Sequence, residues 1–137
     1  MEKSAVETMI AALDVGVTRS AMQEGMAKLT PLHREVLRTL PQGDQQEVRV
    51  LHAALQPGDV TPYHSHRFPV TVYVAEGVFT LRLDARDPVS IGPGQVFVEP
   101  PHVNMTGSND GTVPAVTILF YVCDPDTPFA DPVPTTK

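Results

Sequence analysis

Two histidines one residue apart, His64 and His66, lie in the stretch Gly58-Asp-Val-Thr-Pro-Tyr-His64-Ser-His66-Arg-Phe-Pro-Val70. In an extended chain, residues two apart point to the same side. The two imidazoles can therefore face one way, and Phe68, Val70, Val72 and Val74 continue that face. Paired imidazoles over an apolar wall suit borderline ions such as Zn, Fe, Ni or Cu. A tight metal site takes three or four ligands, so this pair alone does not complete one. The plainer reading makes them space-filling histidines in an all-β interior.

Other residues carry weaker signals. His52 alternates with Val50 and Ala54 and reads first as a core or surface histidine. His33, after Thr-Pro-Leu, reads as exposed. Glu99, before Pro100, and Glu76, at a turn, would act as a general acid or base only if they faced a pocket; strand-end glutamates are usually solvated. Cys123, in an apolar run, reads as a buried thiol with nothing nearby to activate it. Tyr63 has the opposite parity to His64, and Tyr73 and Tyr121 read as packing residues. No Ser-His-Asp order, phosphate loop or dinucleotide fingerprint occurs, so the catalytic residues are unknown at this level.

The elements that position these groups follow from periodicity. Residues 1–30 read as helical: Ser4-Ala-Val-Glu7 fits a capping box, with Val6, Met9, Ile10 and Leu13 at helical spacing. Gly16 stops that helix, and Thr18 caps a second one bearing Met22, Met26 and Leu29. The period then changes to alternation. Short strands are expected over 35–40, 47–55, 89–91, 96–99 and 103–106, with a hairpin of 71–75 and 78–83 about Glu76-Gly77. The run 113–123 reads as a strand buried on both sides, and the proline-rich tail after it as extended. Frequent turns between short strands point to a sandwich or small barrel.

Composition narrows the partners. The chain has 137 residues, 14 prolines and 9 glycines, and a net charge of -6 from 10 Lys+Arg against 16 Asp+Glu. One domain is expected. The acidic balance and the lack of a basic stripe argue against nucleic acid, and no apolar run is long enough to span a membrane. A single cysteine excludes an internal disulfide, and no signal peptide is visible, so the expected location is cytoplasmic.

The spacing resembles the cupin superfamily, whose first motif is Gly, five residues, His-x-His, three or four residues, Glu, six residues, Gly. Gly58, His64, His66 and Gly77 fall on it, with Val70 in place of Glu. The second motif is Gly, five residues, Pro-x-Gly, two residues, His, three residues, Asn. Gly94, Pro100 and Asn109 fall on that one, with His102 at the glycine and Met105 at the histidine. The resemblance implies an all-β jelly roll, the cupin double-stranded β-helix, here with an α-helical N-terminal extension. The implied organisation is an extension and first strand over 1–40, a barrel over 41–124 and an extended tail over 125–137.

The resemblance also implies a site in the barrel. Cupin metals sit on three histidines and a glutamate, of which this chain keeps His64 and His66. Met105, a soft donor that favours Cu(I), or His102 would have to complete the set, the latter only if the path after Pro100-Pro101 turns it inward. Val70, Val72 and Phe97 are expected to wall the pocket. Two functions follow. One is a cupin with a depleted metal site, holding a divalent or copper ion, a small molecule or both. The other is a metal-free small-molecule-binding or sensor cupin without catalysis. A homodimer is expected in either case.

Overall fold

A computed structural model describes residues 25–135. The chain divides into two units, Met1–Arg34 and Glu35–Lys137. Of the first, residues 25–34 carry no helix or strand. The Ser4–Glu7 capping box, the first expected helix and most of the second lie outside the described residues.

The second unit contains nine strands: β1 (Glu47–Leu55), β2 (His64–Ser65), β3 (Val70–Glu76), β4 (Phe79–Leu83), β5 (Val89–Ile91), β6 (Val96–Glu99), β7 (Met105–Ser108), β8 (Ala115–Cys123) and β9 (Asp131–Pro132). They form two antiparallel sheets, ordered β1-β8-β3-β6 and β5-β4-β7-β2-β9. Alternation explains which residues meet. Odd positions of β1 and β8 and even positions of β3 turn inward, so pairing aligns Glu99, Val70, Tyr121 and Arg49 across the first sheet. The next inward row is Phe97, Val72, Leu119 and Leu51. Facing them from the second sheet are Phe79, Leu81, Leu83, Ile91 and Met105, all buried. Each such side chain contributes about 1.5–3 kcal/mol on full burial, so the two inner faces hold the sandwich closed.

Three expectations need correction. No strand forms over 35–40, where Val36 is 91% exposed; alternation without a partner strand does not make one. The 71–83 segment is not a hairpin, since β3 pairs with β6 and β8 while β4 pairs with β5 and β7. The turn between them instead carries the chain from one sheet to the other. Gly77 makes this possible with φ +71, and a Cβ there would lie 2.3 Å from the Pro114 carbonyl oxygen. The 113–123 run is apolar on both sides, yet only the inner side is covered: Phe120 remains 43% exposed. His52 lies on that same outer side, exposed, and not in the interior.

His102 sits in the left-handed region with φ 60, its side chain exposed. Its backbone N–H donates to the His66 carbonyl at 2.8 Å. This is the position where the second motif has glycine, which explains both the turn and why the imidazole is not delivered inward. A side chain in this conformation costs roughly 1–2 kcal/mol, although His tolerates it better than most residues. Accordingly, His102→Gly should raise unfolding stability by about 1 kcal/mol in urea titration. Gly77→Ala should lower it by about 3 kcal/mol, through combined φ strain and collision with Pro114. A stability loss in His102→Gly would mean that the imidazole makes a contact worth more than its backbone strain.

Candidate functional site

Between the sheets lies an enclosed cavity of about 70 Å3. Its apolar wall is Ala53, Leu55 and Leu119 from the first sheet and Phe79 and Leu81 from the second; Thr61, His64, Glu99, Thr117 and Phe129 add the rest. Gly107 also borders it, because a Cβ there would come within 2.5 Å of the Phe79 ring. A second, more open cavity of about 230 Å3 lies alongside, lined by Thr61, Pro62, His64, Phe129, Ala130 and Pro132. Thr61, His64 and Phe129 belong to both.

His66 is the most constrained polar group here, 1% exposed. Its Nδ1 lies 2.7 Å from the Phe129 carbonyl oxygen, and its Nε2 lies 3.2 Å from Glu99 Oε1. A carbonyl only accepts, so Nδ1 carries a proton. The approach of Nε2 to Oε1 is a close polar contact between two buried side chains. Glu99 is 5% exposed, and its other oxygen has no partner among the described residues. His64 packs edge-on to His66, ring centroids 4.8 Å apart, and its Nδ1 lies 2.5 Å from the Pro62 carbonyl oxygen. In the neutral ring this leaves Nε2 as a lone pair.

The segment that positions Phe129 is the C-terminal one. β9 pairs with β2, placing Pro132 opposite His64 and Asp131 opposite Ser65. The Val133 N–H donates to the Tyr63 carbonyl at 3.0 Å, and Arg67 grips Asp131 through two bonds of 3.0 and 3.1 Å. The guanidinium holds the Asp131 carboxyl below its usual range. Tyr121 lies beneath Phe129, ring centroids 5.4 Å apart, fully buried, and its hydroxyl has no hydrogen-bond partner among the described residues. Burial pushes that hydroxyl's pKa up.

The sequence-derived candidates therefore separate. His64 and His66 come together as expected. Met105 is fully buried, opposite His64 on the neighbouring strand, while His102 is exposed on its turn. Val70 and Val72 are fully buried core residues and Phe97 packs against that core, but none of the three borders the enclosed cavity. Asn109, the second motif's asparagine, is structural: its amide donates to the Leu55 and Val113 carbonyls, and its oxygen accepts the Gly111 N–H.

Glu99 is the residue that sequence reasoning ranked too low. It stands directly across from Val70 in the β3–β6 register, where opposite Cβ atoms lie about 4.5–5.5 Å apart. The carboxylate missing from position 70 is thus supplied by the adjacent strand. The signal was weak because β6 is Val-Phe-Val-Glu, apolar at both parities. Phe129 gave no signal, being set by a long-range pairing.

Two imidazoles and a carboxylate are ligand types for an ion, but the arrangement does not fit one. Among the described residues, no three His, Cys, Asp or Glu side chains converge to hold a metal. His66 Nε2, the nitrogen free to ligate, is turned onto Glu99, and both Nδ1 atoms are occupied by carbonyls.

Comparison with known proteins places the fold. Residues 51–121 match the family model described as a cupin domain. Comparison with curated proteins found no match. An RmlC-like cupin family protein from Methanocaldococcus jannaschii superposes with TM-score 0.52 at 24% identity, over 57% of this chain and 70% of that one. A cupin-like protein from Thermotoga maritima MSB8 gives 0.55 at 20%, over 63% and 64%. A DMSP lyase from Ruegeria pomeroyi DSS-3 gives 0.51 at 17%, over 63% and 42%. At these identities the likeness is one of fold, and it agrees with the two-sheet sandwich and its motif turns. With the family model spanning more than half of its length, the chain belongs to the cupins.

Proposed function

We propose that this cupin binds a small organic molecule inside its barrel, recognised by Glu99, His66 and His64, without a resident ion. The observation that carries the reading is the buried His66–Glu99 contact, 3.2 Å long, on an enclosed cavity where the second carboxylate oxygen has no partner. Buried polar atoms are almost always paired. An acceptor left open at a cavity wall is therefore a place for a ligand or an ordered water. A DMSP lyase shares the fold at 17% identity, and the present reading takes no substrate from it.

The test is thermal unfolding in the presence of chelator, against a panel of small neutral, cationic and anionic organic molecules. A true ligand raises Tm by several degrees as its concentration passes well above Kd. If nothing in the panel does so, and Zn2+ or Cu+ binds one to one in a manner abolished by His64→Ala, an ion site replaces this reading.

The buried pair should also be visible in stability. Breaking it from one side strands a charge or an unpaired proton, so His66→Ala should cost about 3–5 kcal/mol. Adding Glu99→Leu should recover part of that loss. Additive losses in the double variant would show that the two side chains are not coupled.

The second part of the proposal is a homodimer through the outer face of the first sheet. Val48 is 69% exposed, Val50 60% and Phe120 43%, on adjacent paired positions. Contiguous apolar exposure of this kind usually marks an interface. Sedimentation velocity should find a dimer that Val50→Glu with Phe120→Glu converts to a folded monomer. A wild-type monomer across the accessible concentration range would remove this part.

A further inference from the structure

We infer that the ligand enters as a hydrogen-bond donor on an apolar body: a small alcohol or amine with its head in the enclosed cavity and its body in the open groove beside it. This rests on the barrel being the ligand site. The inference comes from counting which protons the wall has already used.

Four polar side chains border the enclosed cavity. The Thr117 hydroxyl donates to the Ala53 carbonyl, and the Thr61 hydroxyl donates to the Pro62 carbonyl while accepting the Gly107 N–H, so each has only lone-pair capacity left. With Nδ1 donating to the Pro62 carbonyl, the neutral form of the His64 ring presents Nε2 as an acceptor. Glu99, on the cavity wall, presents its second oxygen as an acceptor. All four are acceptors. A carboxylate, phosphate or carbonyl head would set lone pair against lone pair at a buried site, leaving groups unpaired on both sides. A hydroxyl or ammonium supplies the missing protons.

Volume sets the body. An apolar cavity of about 150 Å3 holds a benzene ring, so about 70 Å3 takes only a head of one or two heavy atoms. The adjoining groove, about 230 Å3, has room for a ring or a short aliphatic chain. Its walls are Pro62, Ala130, Pro132 and the Phe129 ring, with almost no polar surface. Thr61, His64 and Phe129 line both spaces, which therefore adjoin along one wall.

The test uses calorimetric titration of the full chain in chelator with benzyl alcohol, benzylamine, benzoate and toluene. The alcohol or the amine should bind about tenfold more tightly than benzoate or toluene, and the two donor arms separate a neutral head from a charged one. Thr61→Val, which removes an acceptor shared by both spaces and the partner of the Gly107 N–H, should in folded protein weaken the donor ligands more than toluene. Glu99→Gln introduces an amide donor, and in folded protein, checked by circular dichroism, it should narrow the preference over benzoate. Benzoate binding as well as the alcohol and the amine would overturn this inference while leaving barrel binding intact. Toluene binding equally would reduce the site to apolar packing and overturn it too. Failure of all four probes and of every organic molecule in the thermal panel would remove both readings.

Discussion

One buried imidazole ties the site together. His66 is held from one side by the Phe129 carbonyl and from the other by Glu99, so it connects the C-terminal segment to the inner face of the first sheet. Taking a histidine and a glutamate out of water is costly unless every polar atom finds a partner. Here the imidazole bonds the Phe129 carbonyl and approaches one Glu99 oxygen, while the other oxygen has no partner among the described residues. The uneven satisfaction of this pair leaves chemistry at the cavity and explains why the neighbouring residues have so little freedom. Moving Phe129 would release Nδ1, and moving β6 would release Nε2.

Much of the fold was legible in sequence because it rests on local rules. The alternation of β1, β3 and β8 identified the strands, and the spacing of Gly58, His64, His66 and Gly77 identified the family. What failed were inferences about pairing. A Glu-Gly turn between two alternating runs has the local signature of a hairpin, and only the approach of Pro114 against Gly77 shows that the runs belong to different sheets. Apolarity on both faces of β8 likewise could not say which face is covered. Val48, Val50 and Phe120 are outward yet hydrophobic, so apolar residue type alone does not mark the covered face.

The site was half legible for the same reason. His64 and His66 declare themselves by their separation of two, a property of one strand. Glu99 becomes meaningful only through its register against Val70, a property of two strands. His102 shows the reverse: a histidine three residues from the expected ligand looks like a substitute until its φ of 60 shows that it occupies a glycine's conformation. Motif positions carry backbone roles as well as side-chain roles, and a chemically suggestive residue can inherit the former alone.

The walls of the cavity differ in how firmly they are held. The sheet strands are locked by continuous ladders and by buried Leu, Val and Phe side chains. The Phe129–Pro132 segment is held by a two-residue pairing with β2, the bond to His66, and an exposed Arg67–Asp131 pair. Exposed ion pairs contribute little, being screened and entropically costly. The segment bearing the ring between the two cavities is therefore the most weakly held wall, and its anchoring depends on the same imidazole that holds Glu99. Recognition of a ligand at Glu99 and the positioning of Phe129 consequently share one side chain. A change at His66 would be felt in both spaces, whereas a change at Ala130 would be felt only in the outer one.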